Sequence, residues 1–404
     1  MPKKLSLLVL SLSLSLLLTP PAKADFTSPA KNISNSALDS KFPKVCHVPG
    51  GGTTLVLWVE TDGSNDRLYF SKTTDSGYTW STPVALTSPG GQLIDHANDY
   101  DDHNAFNMEI ANPYVHIVMQ WRSNAFEDYE IYYLRSPDLG DSWEYPLVQL
   151  TDNGSPSLYP DVAAKGEYVH VAYQDTWPGN LEIIYKRINN YGAGAVDQTR
   201  RLTFSGGQSS LAKIAVCGTA GYVNIVYQDD TSGSFNVFYK RIENDGSGIY
   251  TTRQLTFGSG ILGHNMLPDI AAGTGTYDQY VYIVHEANWP GNLEIMYKSI
   301  DGWGSGSVST SRLTYSGPIS ESSSIDFDTG YFNVHVCFHD SWPGNNDVMY
   351  RKLAPTGGAF TSQRVSWGTG ESVYSTIASS GAWAYIAWMD NTSGNYEIYV
   401  KYGF

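Results

Sequence analysis

Seven near-copies of one hairpin, strand-length runs alternating with a period of two, and a chain rich in Gly, Tyr and Trp predict an all-β fold. The prediction is a seven-bladed β-propeller of four-stranded antiparallel blades, the last blade closed by the N-terminal strand. The hairpin is plainest in VHVAYQDTWPGNLEIIYKR from Val169, VYIVHEANWPGNLEIMYK from Val281 and VHVCFHDSWPGNNDVMYR from Val334. Looser copies begin at Leu55, Val115, Val223 and Ala384. With Glu182 as marker, the equivalents Arg67, Glu130, Asn236, Glu294, Asp347 and Glu397 recur every 50 to 63 residues, a propeller-blade period.

Taken in order, the chain opens with Met1-Pro2-Lys3-Lys4, an apolar run from Leu5 to Leu18 broken only by serines, and Pro20 to Ala24 before Asp25. A basic start, an apolar stretch short for a bilayer and a small-residue end predict a secretory signal peptide over 1–24. The mature chain is then secreted, extracellular or periplasmic, with no membrane span, and 25–404 reads as a single propeller domain. In each repeat a short run such as Pro160–Ala164 or Pro268–Ala272 is the innermost strand A. The alternating Val-His-Val-Ala-Tyr type is strand B, the Glu-Ile-x-Tyr-Lys type is strand C, and strand D ends in Leu-Thr, as at Leu202-Thr203. Since the sequence stops just after the seventh strand C, Ala30–Ser34 is the candidate for the missing outer strand.

The 404 residues carry a formal net charge of −15, and loss of Lys3, Lys4 and Lys23 makes the mature chain more negative still. Such a surface disfavours nucleic acid, anionic membranes and polyanionic substrates. The three cysteines, Cys46, Cys217 and Cys337, sit far apart in strand-like runs and read as buried thiols, so stability rests on core burial and ring closure.

Two turns between strands C and D read Thr73-Thr74-Asp75-Ser76-Gly77-Tyr78-Thr79-Trp80 and Ser136-Pro137-Asp138-Leu139-Gly140-Asp141-Ser142-Trp143. Both resemble the Asp-box, S/T-x-D-x-G-x-x-W, of the BNR-repeat, sialidase-like propellers. The resemblance implies a structural role for Asp75, Gly77, Trp80, Asp138, Gly140 and Trp143, on the face opposite any active site. Asp accepts turn amides, Gly takes the left-handed conformation and Trp packs between sheets. Later copies keep only the glycine, as at Gly192 and Gly246. A weaker likeness is to periplasmic TolB-type propellers, through Gly179-Asn180-Leu181-Glu182-Ile183 and its relatives at Gly291 and Gly394. Catalytic sialidases clamp a carboxylate with three arginines and open with an Arg-Ile-Pro motif, which this chain lacks. Its arginines instead fall at Arg200, Arg201, Arg253, Arg312 and Arg364, on or beside outer strands where they cannot converge. Sialidase chemistry is therefore not expected.

Three features belong to the face formed by the B-to-C hairpins and D-to-A loops. The Trp-Pro-Gly-Asn hairpins set Trp177, Trp289 and Trp342 at one point of three blades, beside Asn180, Asn292 and Asn345 and near Asp175 and Asp340. Indoles bury sugar C–H faces and amides meet hydroxyls, although the same residues also make good architectural turns. An added loop, Asp95 to Asn104, offers Asp99, Asp101 and Asp102 as oxygen ligands for calcium and His96 and His103 for a transition metal or acid–base work; it also reads as a solvated loop. Finally, Lys44, Glu109, Asp161, Lys213, Asp269, Ser324 and Thr376 form a ring just before each strand A. In it Asp161 and Asp269, with His264, are the candidate acid–base set for glycoside cleavage, and channel-lining salt bridges are the alternative. His116, His170 and His335 share one strand-B register and are expected to pack between sheets.

These readings favour a carbohydrate-binding propeller with a glycan or polysaccharide partner. An extracellular glycoside hydrolase or polysaccharide lyase is the runner-up, and an envelope scaffold docking another protein the third reading.

Overall fold

The computed structural model describes residues 26, 28–94, 99–124, 126–218, 221–258, 260, 263–288, 291–315, 317–342, 344–381 and 383–403. The expected signal peptide over 1–24 lies outside them. Seven four-stranded antiparallel sheets follow one another, each crossed in the order A-B-C-D from axis to rim. Blade three is typical, with strands Ser157–Lys165, Tyr168–Asp175, Glu182–Ile188 and Val196–Arg201. Inner strands of successive blades touch in cyclic order, and Asp39–His47 of blade one meets Ser372–Ser380 of blade seven, so the ring is closed. Among the described residues no helix is long and apolar enough to cross a membrane.

Closure follows the expected route. Lys31 and Asn32 pair antiparallel with Val400 and Tyr399, completing the seventh sheet. The Leu-Thr ending of strand D explains why. In blade three Leu202 is buried, and the Thr203 hydroxyl accepts the Ile183 N–H at 2.8 Å. The same bond runs from Ile131 to Thr151, Val237 to Thr256, Ile295 to Thr314 and Val348 to Ser366. In blade seven Ile33 and Ser34 take these places, with the Ile398 N–H donating to Ser34 Oγ at 2.8 Å.

Strand B is buried on both faces, so its alternating side chains feed two inter-blade cores. Val169, Val171 and Tyr173 pack toward blade two against Val118, Ile131 and Leu150. On the opposite face His116, His170 and His335 hydrogen-bond through Nδ1 to the Tyr133, Tyr185 and Tyr350 hydroxyls at 2.7–2.8 Å, between sheets as expected. Cys217 and Cys337 are buried free thiols, while Cys46 is half-buried.

Six of the seven inner strands contain a bulge that periodicity did not predict. Its pivots are Phe42, Tyr159, Leu211, Leu267, Ser322 and Tyr374, all non-glycine residues at φ of 46–56°. A polar side chain from strand B of the preceding blade holds four of them. Gln120, Gln174 and Gln228 accept the N–H groups of Tyr159, Leu211 and Leu267 at 2.9–3.0 Å, and Glu286 accepts that of Ser322 at 2.6 Å.

Candidate functional site

The hairpin rim is built from turns that consume their own polar groups. Asp175 closes strand B of blade three; one carboxylate oxygen accepts the Trp177 N–H at 2.6 Å and the other accepts Asn153 Nδ2 at 2.7 Å and Ser157 Oγ at 2.9 Å. Asp340 does the same for Trp342 N–H at 2.7 Å and Ser320 Oγ at 2.8 Å. With the backbone fixed, the indoles themselves stay in solvent: Trp177 is 65% exposed and Trp342 61%. Trp289, the third ring of the set, lies outside the described residues.

The neighbouring amides face inward. Asn180 Nδ2 donates to the carbonyls of Ser205 and Gly207, Asn292 Nδ2 to the Pro318 carbonyl at 2.6 Å, and Asn345 Nδ2 to the Gly370 carbonyl at 2.6 Å. Each ties its hairpin to the D-to-A loop of its own blade. The turn glycines Gly179 and Gly344 sit at φ of 107° and 134°, where a side chain would be strained.

Along the axis, the charged ring lies within the inner strands, immediately past the bulges, instead of just before them. Lys44, Glu109, Asp161, Lys213 and Asp269 line a channel of about 320 Å³ together with Asp326, which sequence reasoning missed. The three aspartates are occupied by backbone. Asp161 accepts the Ile214 N–H of the next blade at 2.7 Å and the Asn107 amide, Asp269 accepts Ile325 N–H at 3.0 Å, and Asp326 accepts Ser379 N–H at 2.6 Å. Each thus pins one inner strand to its neighbour.

Burial dominates the electrostatics there. It raises Glu109 to about 8, helped by the Asp326 and Asp161 charges, and raises Asp326 to about 6. It lowers Lys44 to about 7, with the Lys213 charge acting the same way. His264 stands apart from this wall: its Nδ1 accepts the Phe235 N–H of the blade-four hairpin at 3.2 Å, and its ring packs on Phe235.

The described part of the added loop, 99–104, reaches the channel mouth through His103 and Asn104. Asp99–Asp102 forms one helical turn, and His103 then packs on Tyr374 with ring centroids 5.4 Å apart. His103, Asn104, Phe42, Leu211, Leu267 and Tyr374 narrow the mouth to a cavity of about 50 Å³, room for a few waters and not for a sugar ring. Asp102 is buried, and burial raises the carboxyl of Asp101. Asp95, His96 and the Asp99 side chain lie outside what the structure describes. Among the described residues no three His, Cys, Asp or Glu side chains gather as a metal-binding group.

On the far face the two sequence-predicted turns have matching geometry. Asp75 accepts Thr79 N–H at 2.8 Å and Thr79 Oγ1 at 2.6 Å; Asp138 accepts Ser142 N–H at 2.7 Å and Ser142 Oγ at 2.6 Å. These bonds, led by the Thr79 hydroxyl, hold Asp75 down to about 2. Gly140 is needed for more than its φ of 81°, since a Cβ there would come within 2.5 Å of the Phe70 ring, against which Trp143 packs edge-on.

The outer-strand arginines do not converge. Arg201 pairs with Glu182 at 2.8 Å, Arg312 with Glu294 at 2.6 Å and Arg364 with Asp347 at 2.5 Å, each within its own blade. Each guanidinium also lies over an exposed ring three residues on: Phe204, Tyr315 and Trp367, at 4.4, 4.6 and 4.3 Å. Together with Phe257, these rings give blades three to six one exposed aromatic apiece directly after the Leu-Thr pair or its Val-Ser counterpart. That repeat was visible in the sequence as Leu-Thr-aromatic, and counting strands alone passed over it.

No protein-family profile matches this chain. No curated protein matches it. Solved structures do. A polysaccharide lyase of family PL25, an ulvan lyase, aligns with a TM-score of 0.59 at 11% identity over 92% of this chain and 95% of its own. The GH93 α-L-arabinofuranosidase of Fusarium graminearum aligns at 0.52 and 10% identity over 94% and 98%. A Trypanosoma rangeli sialidase mutant displaying trans-sialidase activity aligns at 0.50 and 13% identity over 74% and 53%. At these identities the likeness is one of architecture, and the chain has a sialidase-like propeller fold.

Proposed function

We propose that this chain is a secreted carbohydrate-binding propeller that lacks sialidase catalysis, with its glycan contacts on the hairpin rim. In this reading residues 1–24 are removed on export, the turns at Asp75 and Asp138 are the Asp-boxes of the superfamily, and Asn180, Asn292 and Asn345 hold the loops on which the ligand rests. The observation that carries it is the pair of solvent-facing indoles, Trp177 and Trp342, on backbones fixed by Asp175 and Asp340. A soluble protein gains nothing in its core from a ring left 65% or 61% exposed, whereas an indole held in place presents a flat apolar face to a sugar. The arginine arrangement supports the absence of a carboxylate clamp, because Arg201, Arg312 and Arg364 are spent on carboxylates of their own blades and Arg200 and Arg253 on backbone carbonyls of the next.

The test is a glycan-array screen followed by titration of the hits. At about 1 kcal/mol per stacked ring, Trp177→Ala combined with Trp342→Ala weakens binding about 30-fold at an unchanged unfolding midpoint. Binding that survives both substitutions overturns the reading. Product release from an extracellular polysaccharide, abolished by Asp161→Ala or Asp269→Ala, establishes the hydrolase or lyase instead. A melting temperature lowered by chelator assigns calcium to the loop at Asp99, Asp101 and Asp102.

A further inference from the structure

Blade four departs from its neighbours in a coordinated way. Where blades three, five and six have an acidic residue paired with arginine, blade four has the neutral pair Asn236 and Gln254. Gln254 Nε2 donates to the Thr256 carbonyl at 2.8 Å, much as Arg201 Nε donates to that of Thr203 at 2.7 Å. Among the described residues no guanidinium backs Phe257, the blade-four ring, which is 80% exposed.

The facing strand of blade five changes as well. The position filled by Trp58, Met119, Tyr173, Tyr227, Phe338 and Trp388 in the other six blades is His285 here, as the register of strand B on strand C shows. Five of those six side chains are aromatic wedges larger than imidazole. The smaller ring leaves a groove of about 520 Å³ between blades four and five, lined by Leu255, Phe257, Asn265, His285, Met296 and Lys298. That volume falls in the roughly 300–1,000 Å³ range of small-molecule sites.

The groove holds an unmet hydrogen-bonding demand. His285 is 1% exposed, and its Nδ1 lies 3.2 Å from the Glu286 carbonyl, which can only accept, so Nδ1 carries the proton. Nε2 is therefore an acceptor, and it is buried with no partner among the described residues. Burial, and after it the Lys298 charge, lowers the imidazole to about 3, so Nε2 stays unprotonated at neutral pH. The Lys298 ammonium is itself engaged, donating to Thr310 Oγ1 at 2.9 Å. Leaving such an acceptor unpaired is costly, and a donor entering the groove recovers that cost.

We infer that the groove between blades four and five is a second saccharide subsite, taking a neutral sugar residue whose hydroxyl donates to His285 Nε2 and whose C–H face lies on Phe257. The inference rests on the carbohydrate-binding reading and adds a site to it. A neutral sugar suits the lining because the groove offers an acceptor and an apolar ring, while its one ammonium is already hydrogen-bonded.

The experiment titrates cellohexaose, maltohexaose and xylohexaose into the full chain by calorimetry, with His285 labelled for imidazole ¹⁵N shifts. His285→Phe installs the ring that Phe338 supplies in blade six; the unfolding midpoint stays level or rises, and affinity falls at least tenfold. Phe257→Ala, at an exposed position, gives a similar loss without touching the core. With wild-type protein, binding moves the Nε2 resonance. The inference is overturned if none of the three sugars binds, if both groove variants bind like wild type, or if the Nε2 signal stays still during binding. Loss of binding in the Trp177→Ala, Trp342→Ala protein alone sinks only the groove; loss in the groove variants alone sinks only the hairpin reading.

Discussion

The axial wall and the hairpin rim of this ring both concentrate polar and aromatic residues, yet they dispose of them in opposite ways. On the wall, Asp161, Asp269 and Asp326 face a channel and accept backbone N–H groups from the blade beyond, so Asp161 and Asp269, which look catalytic in sequence, serve with Asp326 as inter-blade pins. At the rim, Asp175 and Asp340 are equally consumed, but by turns whose product is an exposed indole. Polarity alone therefore does not mark a site in a closed repeat ring; what marks it is a group the repeat leaves unsatisfied or uncovered. Trp177, Trp342, Phe257 and His285 meet that criterion, and Asp161 and Asp269 do not.

The comparison breaks most sharply at Asp161. If the carboxylate is a pin, Asp161→Ala leaves the Ile214 N–H without its acceptor and lowers stability by about 1–3 kcal/mol in denaturant titration, with glycan affinity unchanged. A loss of affinity or activity at wild-type stability would instead make the wall a site.

A smaller effect comes from Glu109. Its folded value of about 8 exceeds the ordinary 4.5, so the folded chain holds a proton that the unfolded chain releases. The stabilisation is complete below about 4.5 and is lost as pH rises through about 8. Lys44 runs the other way, its contribution present at high pH and lost as pH falls through about 7. Asp326, raised to about 6, slopes the same way as Glu109 below that value, so the difference between wild type and Glu109→Gln isolates Glu109. Melting temperatures of Glu109→Gln across that window should fall less steeply with pH than those of wild type. The smallest change belongs to Asp75 on the far face. Its depressed value contributes stability above the ordinary 3.8 that is lost as pH falls through about 2, so Asp75→Ala alters acid unfolding and leaves glycan binding alone.

Much of the architecture was legible because each blade repeats one period-two pattern and one strand ending. The Leu-Thr pair located the outer strands, and Ile33-Ser34 filled the same role once the seventh blade lacked its own. The bulges were not legible, since Tyr159, Leu211 and Tyr374 are ordinary strand residues and nothing in their identity announces a positive φ. Nor was the Gln120, Gln174 and Gln228 column, whose partners sit one blade away. The proposed site was half visible: the tryptophans stood out as a motif, whereas His285 gains meaning only from the six larger residues that hold its position elsewhere, and that comparison needs the register.

The pairing of Lys31 and Asn32 with Tyr399 and Val400 also sets a schedule. Of the described strands, Lys31–Asn32 is made first, and it cannot dock until Glu397–Gly403 has emerged, a delay on the order of tens of seconds at cellular elongation rates. Until the two strands meet, the ring is an open arc with two sticky ends, one of them an inner strand with no neighbour, and such edges invite pairing with other chains. Crowded nascent copies are thus the natural competitors of the closing strand, and a chaperone that shields the growing arc is the help this topology most needs.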